Sequence, residues 1–421
     1  MKKIETFSGY RFLIMALLVI NTVVMYMSYS IAVPMLTTIS QSLKTDIGTA
    51  GIIVTAVLLT MGVMMLLGSD LVIVRVGSKH AIVIAFAAVI TGNLMAGLSG
   101  SFPVILAGRA LLGLGVGLNS VACVSSGTMW LPPRERPLLF SFIQIGVACG
   151  TFAAYNAAIP LLTALGGWQN VFLAMAALEF IFLLIWMCVG KDNKEYQPEH
   201  VKKKDKGGAF AAVVKRRDVW LMALYVCVLM FAQSCMLTYM PTYLELVRGY
   251  SAQTASAYAG FISVANMAGG FIAGVVSAAV GRRKPVCIVG NIVGFIALLM
   301  LFNSLGTVFL IVTLITYGVF SSMFSPLMQT MSTEIDGATP EIASMAYAMM
   351  FGLGSFVSFF TPMILSVLMK HMELQQAMYC FAVISIVGPV ICFFIKDTGP
   401  KAKEKQEKKL KFRGNNEWER L

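Results

Sequence analysis

Two charged residues stand deep inside long apolar stretches, where a charge needs a partner or serves a function. Arg109 lies in RALLGLGVG and Glu179 lies in AALEFIFLL. A guanidinium keeps its proton, so Arg109 either binds an anion from a cavity or bonds backbone carbonyls that hold helices together. A carboxyl group can take up a proton, so Glu179 is a candidate for coupling to protons, with a structural hydrogen bond as the alternative.

Polar and aromatic side chains inside other apolar stretches complete the candidate substrate-binding site. Each of them alone is also explained by an interhelical hydrogen bond, which contributes about 0.6 kcal/mol on average in a membrane protein. Together with Arg109 they could line a cavity for a small molecule. The ten residues are Asn21, Tyr26, Tyr29, Gln144, Asn156, Gln233, Tyr239, Asn266, Tyr317 and Tyr347.

Several kinds of chemistry find no support in the residue patterns. None of the eight cysteines forms a C-x-x-C pair and the three histidines lie far apart, so we expect no metal site and no cofactor. No nucleophile with a neighbouring base stands out, so we expect no enzyme. The phosphate-binding pattern G-x-x-x-x-G-K-[ST] does not occur in the sequence, which argues against direct use of ATP.

The elements that carry these residues are long apolar blocks. The 421 residues are 58% hydrophobic and 12% charged, whereas about 25% are charged in a typical soluble domain. A block of about 20 apolar residues crosses a bilayer as a helix, so we predict an all-α membrane protein with twelve transmembrane helices. The spans lie near 11–36, 49–72, 79–98, 102–127, 137–164, 168–189, 218–242, 252–279, 285–303, 305–331, 340–369 and 373–395.

Charge placement predicts the orientation. The net charge of +12 arises in short loops and at the two ends, so we expect no nucleic acid partner. With the N-terminus inside, only Lys44, Arg248 and Lys370 of the 32 Lys and Arg residues fall in outside segments. Such a bias predicts a multi-pass protein of the cell membrane with both termini cytoplasmic. We expect a monomer in the lipid bilayer, with a small solute and a candidate coupling proton or ion as partners.

A long charged segment at the midpoint divides the spans six and six. We predict an N-terminal six-helix bundle over 1–190, a cytoplasmic linker over 191–217, a C-terminal bundle over 218–396 and a cytoplasmic tail over 397–421. The segment RVGSKHAIV around Gly77 is similar to AVGRRKPVCIV around Gly281. Both follow the second span of their half, so we predict two bundles related by a pseudo-twofold axis.

The loop after the second span resembles a motif of the major facilitator superfamily, G-x-x-x-D-R-x-G-R-K/R. Arg75, Gly77 and Lys79 match it, whereas Val74 stands at the position of the Asp. In the family that Asp contributes to a latch between helix ends. Asp70, one turn earlier, is a candidate substitute for it.

The second copy of this loop matches the motif more fully. Gly281, Arg282 and Arg283 agree with it, although Ala278 stands at the position of the Asp. The resemblance implies that these loop residues sit where helix ends of the two bundles meet and take part in gating.

Spans four and five carry further likeness to the superfamily. Arg109, Gly113 and Gly115 fit its pattern R-x-x-x-G-x-G, and Gly146 and Gly150 fit G-x-x-x-G without the Pro that follows in the family. These glycines predict close helix packing. The resemblance implies alternating access, with spans 1, 4, 7 and 10 around a cavity and spans 3, 6, 9 and 12 outside. Glu179, in span six, would then lie away from Arg109.

These patterns favour a secondary active transporter of a small solute. A small organic anion is the leading substrate, because Arg109 is the one cation deep inside a predicted span and an anion would offset its charge. A proton-coupled efflux pump for hydrophobic compounds is one alternative, suggested by the apolar, methionine-rich helices. A non-transporting membrane receptor or scaffold is the other.

Overall fold

A computed structural model describes residues 9–68, 72–130, 136–192, 212–303, 306–335, 340–399 and 401. Within those ranges the chain is helical and no strand occurs. The helices are α1 Tyr10–Ser30, α2 Leu36–Leu43, α3 Ile47–Gly68, α4 Val74–Leu98, α5 Phe102–Trp130, α6 Arg136–Leu165, α7 Trp168–Val189, α8 Arg217–Leu246, α9 Ala252–Val280, α10 Lys284–Phe302, α11 Thr307–Ser321, α12 Phe324–Thr333, α13 Pro340–Phe359, α14 Thr361–Leu368, α15 Leu374–Ser385 and α16 Val387–Phe394.

In the part of the chain that the structure describes, twelve helical segments are long and apolar enough to cross a membrane. They follow the predicted spans closely, from Tyr10–Ser30 to Leu374–Phe394. The predicted all-α fold with twelve transmembrane helices is therefore confirmed. Each of the last three spans consists of two successive helices, α11 with α12, α13 with α14, and α15 with α16.

The first span ends earlier than predicted. One continuous helix was expected over 11–36, but α1 ends at Ser30 and α2 begins at Leu36. Pro34 has no N–H, so it cannot donate to the carbonyl of Ser30 as residue 34 of a continuing helix would. The expected boundary is therefore wrong. The break leaves carbonyl groups in the last turn of α1 available to other donors.

The chain forms two compact units. The first contains residues 1–203, 230–264 and 355–381, and the second contains residues 204–229, 265–354 and 382–421. The first unit thus joins the first half of the chain to parts of spans seven, eight, eleven and twelve. The division into two six-helix bundles at a linker over 191–217 stays a prediction.

Glycines let the helices of the first unit approach closely. A Cβ on Gly113 of α5 would lie 2.5 Å from the carbonyl oxygen of Val57 in α3. A Cβ on Gly115 would lie 2.6 Å from the carbonyl oxygen of Ala85 in α4. Contacts this short exclude any side chain larger than hydrogen. The predicted close packing at these glycines is confirmed.

In the second unit, α10 packs against α11 and α16. The amide of Asn291 in α10 donates to the hydroxyl of Tyr225 in α8. The ring of Tyr225 meets Phe324 edge to face, with centroids 6.3 Å apart. The buried Asn291–Tyr225 pair and its contact with Phe324 therefore join three helices of this unit.

Candidate functional site

The broken end of α1 leaves carbonyl oxygens without helical partners, and Arg109 of α5 occupies them. Its Nη1 donates to the carbonyl oxygen of Ser28 at 3.3 Å, and its Nη2 donates to that of Tyr29 at 2.6 Å. Its Nε donates to the carbonyl oxygen of Ile53 in α3 at 3.3 Å. The helix dipole also favours a cation at the C-terminus of α1. Arg109 therefore joins α1 to α3.

Arg109 is 0% exposed. Its guanidinium lies 5.8 Å from the ring centroid of Phe172 in α7. These contacts confirm the interpretation in which Arg109 bonds backbone carbonyls and holds span four to its neighbours. The side chain is enclosed, and three of its N–H groups donate to carbonyl oxygens. Direct contact of Arg109 with a substrate stays a prediction.

Glu179 of α7 is also 0% exposed. Nδ2 of Asn93 in α4 lies 3.0 Å from each of its carboxyl oxygens and 2.7 Å from Oγ of Ser28. Ser28 links the two charged residues, because its hydroxyl accepts from Asn93 and its carbonyl oxygen accepts from Arg109. The expectation that Glu179 lies away from Arg109 is therefore wrong, because α7 packs against both α4 and α1.

Four side chains and the end of α1 thus form one buried polar group, which we call the Arg–Glu cluster: Ser28, Asn93, Arg109 and Glu179. It contains a fixed positive charge and a carboxyl group that can ionise. An ionised Glu179 balances Arg109 inside the protein, whereas a protonated Glu179 leaves that charge without its counter-charge. Uptake or loss of one proton at Glu179 therefore changes the net charge of the cluster by one unit.

Three of the predicted binding residues lie together on α1, next to α5. Nδ2 of Asn21 donates to Oδ1 of Asn119 at 2.9 Å and approaches Sγ of Cys123 at 3.4 Å. The rings of Tyr26 and Tyr29 meet edge to face, 5.9 Å apart. Both tyrosines are half-buried, whereas Asn21 is buried.

The other predicted binding residues are spread over both units. Gln144 is exposed, and Asn156 is half-buried and bonds the carbonyl of Phe152 in its own helix. Gln233 is half-buried, and Tyr239 is buried. These four belong to the first unit with Arg109, whereas the second unit holds a buried Tyr317 and two half-buried residues, Asn266 and Tyr347. A substrate role for each of them stays a prediction.

The loop residues expected to act in gating have contacts within their own units. Arg75 is exposed, and Asp70 lies outside the described residues. Arg282 pairs with Asp397 at 2.6 Å, and Arg283 pairs with Glu334 at 3.0 Å. A meeting of bundle ends at these loops stays a prediction.

Gly77 and Gly281, the two loop glycines, both have a positive φ angle. Their φ angles are +82° and +72°, a region that side chains with a Cβ rarely adopt. The repeat predicted from the sequence is therefore reflected in the backbone of both loops.

Inside the first unit, α3 of the first half of the chain meets α14 of the second half. Oγ of Ser366 in α14 donates to Oδ1 of Asp46, just before α3, at 2.9 Å. Oγ1 of Thr55 in α3 donates to the carbonyl oxygen of Phe359, the last residue of α13, at 3.2 Å. A Cβ on Gly48 would lie 2.4 Å from Cβ of Ser366. We call this the α3–α14 contact, and it lies at the end of the spans predicted to be extracellular.

A matching contact joins α6 to α8 and α9. The hydroxyl of Tyr155 donates to the carbonyl oxygen of Leu237 at 2.7 Å, and the hydroxyl of Ser256 donates to the carbonyl oxygen of Tyr155. A Cβ on Gly260 would lie 3.3 Å from both Phe152 and Tyr155. Spans five and eight thus meet as spans two and eleven do.

Sequence reasoning missed several residues that contribute to the Arg–Glu cluster and to the α3–α14 contact. Asn93 is an amide in the middle of an apolar span, and that isolation is the signal by which it could have been found. Pro34 signals the free carbonyls that Arg109 binds. Ser28 and Asp46 carry no distinctive pattern. Among the described residues, no group of His, Cys, Asp and Glu could hold a metal ion.

Comparison with a family model places these features in a known group. The model of the Major Facilitator Superfamily matches residues 18–358 and 259–420. The chain belongs to the major facilitator superfamily. The resemblance seen in the loops and in spans four and five is therefore confirmed.

Individual superfamily relatives match only in part. The chain is 31% identical over 96 residues to mouse solute carrier family 2, facilitated glucose transporter member 10, covering 23% of this chain and 18% of the relative. It is 33% identical over 135 residues to the purine ribonucleoside efflux pump NepI of Salmonella paratyphi B, covering 31% and 33%. It is 25% identical over 158 residues to the chloroplastic ascorbate transporter of Arabidopsis thaliana, covering 34% and 29%.

The first two relatives, mouse and human glucose transporter member 10, are matched over only 18% and 20% of their length. Among solved structures, this chain is similar in fold to a bacterial homologue of the human lysosomal transporter Spinster, with a TM-score of 0.74. That match covers 92% of this chain and 97% of the other, at 16% sequence identity. It supports the fold over that 92% of the chain.

Proposed function

We propose that this chain is a secondary active transporter that moves a small solute across the cell membrane by alternating access. The observation that carries this proposal is the pair of contacts between the two halves of the chain inside the first unit. At these contacts α3 meets α14 through Gly48, and α6 meets α9 through Gly260. Contacts that rest on a glycine and a small number of hydrogen bonds can separate and re-form, as an alternating-access cycle requires.

For the substrate we propose a small organic anion that moves with a proton. While Glu179 is ionised, it supplies the counter-charge for Arg109. A proton on Glu179 would leave Arg109 uncompensated, which favours an anion in the neighbouring spans. Loss of that proton would restore the internal pair and favour release of the anion. Proton and anion would therefore bind with positive coupling.

Counterflow in proteoliposomes tests the transporter proposal. Labelled ascorbate, glucose and inosine are suitable probes, because the relatives carry names with ascorbate, glucose and purine ribonucleosides and only the first of these is an anion. We expect ascorbate to exchange, and to exchange faster at acidic than at alkaline pH. Folded protein that moves none of the three would favour a receptor or scaffold instead.

The role of Glu179 is tested by Glu179→Gln, which imitates the protonated carboxyl group. We expect this variant to keep ascorbate counterflow but to lose both its pH dependence and accumulation driven by a proton gradient. The matched control is Glu373→Gln, because Glu373 is an exposed carboxylate between α14 and α15. A Glu179→Gln variant that still accumulates ascorbate with a proton gradient would contradict this role.

A proton-coupled efflux pump for hydrophobic compounds is the second candidate. The 33% identity to a purine ribonucleoside efflux pump over 135 residues favours outward movement. In this case Glu179 would take up a proton when the substrate leaves. Vesicles would then expel a hydrophobic dye in response to a proton gradient, and ascorbate would not exchange.

A further inference from the structure

Two aspartates at corresponding places in the two halves of the chain make the same hydrogen bond. Oδ1 of Asp192 accepts from the backbone N–H of Lys79 at 2.9 Å. Oδ1 of Asp397 accepts from the backbone N–H of Lys284 at 3.1 Å. In each pair, donor and acceptor are 113 residues apart. Chance does not readily produce the same contact at the same separation in both halves.

The two donors are N–H groups at the start of a helix. Lys284 is the first residue of α10. In the other half, α4 is interrupted at Gly77, where φ is 82° and ψ is 167°, so the helix restarts just before Lys79. The first N–H groups of a helix have no partner within the helix. A carboxylate from another part of the chain that accepts from them satisfies these donors as an N-cap side chain does, and it also suits the positive end of the helix dipole.

The lysine side chains reach in the opposite direction. Nζ of Lys79 donates to the carbonyl oxygen of Met187 in the last turn of α7 at 3.1 Å. Nζ of Lys284 donates to the carbonyl oxygens of Phe393, the last-but-one residue of α16, and of Ile395, which follows that helix. A cation at these ends suits the negative end of the helix dipole. Each half therefore has a reciprocal link between the start of its third span and the end of its sixth.

We call these links the first clasp, formed by Lys79, Met187 and Asp192, and the second clasp, formed by Lys284, Phe393 and Asp397. Glycine makes the first clasp possible, since a Cβ on Gly77 would lie 2.7 Å from Oδ2 of Asp192. Each clasp lies where the chain leaves the last span of its half.

The second clasp is more extensive than the first. Oδ2 of Asp397 also accepts from Nε of Arg282 at 2.6 Å. The backbone adds two bonds, from Arg283 N–H to the carbonyl oxygen of Thr398 at 3.2 Å and from Lys401 N–H to that of Gly281 at 3.1 Å. In the first half Ser78 precedes Lys79, and its hydroxyl bonds Ser125 instead.

We propose that Asp192 and Asp397 are positioning residues for transport, which hold the third and sixth spans of each half together as one body while the transporter changes state. This inference rests on the proposed transport function. The two loops lack an Asp at the family position, where Val74 and Ala278 stand. Asp192 and Asp397, which follow the sixth span of each half, provide an acidic group there instead. Each aspartate acts through the loop that it holds, at Lys79 or Lys284, and does not contact the solute.

The test uses alanine and asparagine variants of both aspartates in the full chain. Alanine removes the acceptor, and we expect the maximal rate of ascorbate counterflow per folded molecule to fall about fivefold, the effect of losing one cap. The half-saturating concentration should change little, because the solute site is elsewhere. Asp192→Asn keeps an oxygen acceptor and should recover most of the rate. Asp397→Asn also loses the ion pair with Arg282 and should recover less.

Asp218→Asn is the matched control, since Asp218 lies in the first turn of α8 and loses the same charge. Its rate should equal that of the wild type. Hydrogen exchange reports the clasps without any solute, and the amides of residues 79 and 284 should exchange about tenfold faster in the respective alanine variants.

Unchanged exchange in both alanine variants would overturn the clasps themselves. Faster exchange with an unchanged counterflow rate per folded molecule would overturn their role in transport. If wild-type protein moves none of ascorbate, glucose and inosine, the proposed function fails for these solutes, and the exchange experiment still decides whether the two aspartates hold the loops.

Discussion

Arg109 and Glu179 are both buried in the Arg–Glu cluster, where each has hydrogen-bonding partners. The guanidinium has three carbonyl partners, and the carboxyl group has the amide of Asn93. Removal of one partner from a buried ion pair costs about 3–5 kcal/mol in measured cases, because the other charge is left without compensation. Both residues therefore affect folding as well as any transport step.

Substitution of Arg109 separates these two effects. Arg109→Lys keeps the charge, but one ammonium group cannot reach the carbonyls of both α1 and α3 as the planar guanidinium does. Arg109→Gln also leaves Glu179 without a counter-charge. We expect both variants to melt at lower temperature, the second by about 5 °C or more. Thermal unfolding in detergent measures this.

The double variant Arg109→Gln with Glu179→Gln is the control for the charge pair. It should recover part of the stability lost in Arg109→Gln, because neither charge is then left alone. The two single variants of Arg109 also test for contact with the substrate. If Arg109→Lys and Arg109→Gln melt like the wild type but no longer bind ascorbate, Arg109 contacts the solute and the structural role is wrong.

The sequence identified the charged members of the Arg–Glu cluster but not their partners. Arg109 and Glu179 stand out because charge is rare in an apolar span. Ser28 and Asn93 look like many other small polar residues in these helices. Their role depends on which helices are neighbours, and hydrophobic periodicity along one helix does not specify its neighbours. The assumed peripheral place of span six misplaced Glu179 for the same reason.

At the scale of elements, Asp46 links the start of α3 to α14. Its carboxylate accepts from the backbone N–H of Thr49 at 2.9 Å, which caps α3, and from Oγ of Ser366. Partial desolvation works against ionisation of Asp46, but the hydrogen bonds from Thr49, Ser366 and Gly48 outweigh it and lower its pKa below the ordinary 3.8. The bonds therefore favour the ionised form.

This lowered pKa predicts how the α3–α14 contact responds to acid. A group with a lowered pKa contributes stability above its ordinary pKa, and the contribution is lost as the pH falls through the lowered value. We expect the contact to keep its full strength near neutral pH and to weaken below about pH 4. Melting temperatures of the wild type and Asp46→Asn, measured over that range, should converge as the pH falls.

Two further variants check that the effect comes from this contact. Ser366→Ala removes one hydrogen bond to the carboxylate and should reduce the difference between neutral and acidic pH. Glu373→Gln changes an exposed carboxylate at the same end of the spans and should leave the pH profile as it is in the wild type. A gap between wild type and Asp46→Asn that stays constant with pH would contradict the assignment.

Element boundaries were predictable where composition changes and not where geometry alone intervenes. Spans two to nine end near charged or glycine-bearing loops, which hydropathy detects. The end of α1 at Ser30 lies inside an apolar run, and only Pro34 signals it. In the divided spans ten to twelve, such as α13 and α14 on either side of Phe360, the break lies inside one apolar span.

At the scale of the whole molecule, hydropathy was sufficient to predict the fold class. A bilayer offers no hydrogen-bonding partners to the backbone, so each apolar block of span length becomes a helix. Contacts between distant spans were not predictable in the same way. The contacts of Gly48 with Ser366 and of Tyr155 with Leu237 join residues that are far apart in the sequence. They depend on helix packing that no local pattern encodes.

For the orientation in the membrane, the structure adds an argument to the charge bias. Lys44 and Lys370 are both exposed, and Asp46 and Ser366 close to them are joined by a hydrogen bond. The two lysines therefore belong to the same end of the first unit. The bias in Lys and Arg predicts that this end is external.

We expect cysteines placed at 44 and 370, in a chain without native cysteines, to react with an impermeant thiol reagent added to intact cells. Cysteines at 203, 215 and 405 should react only after the membrane is opened. Lys203 and Lys405 lie outside the described residues, whereas Lys215 is exposed just before α8. Labelling of 203 or 215 from outside would reverse the orientation. Opposite results at 44 and 370 would contradict the α3–α14 contact, because residues at one end of a unit cannot face both sides of the membrane.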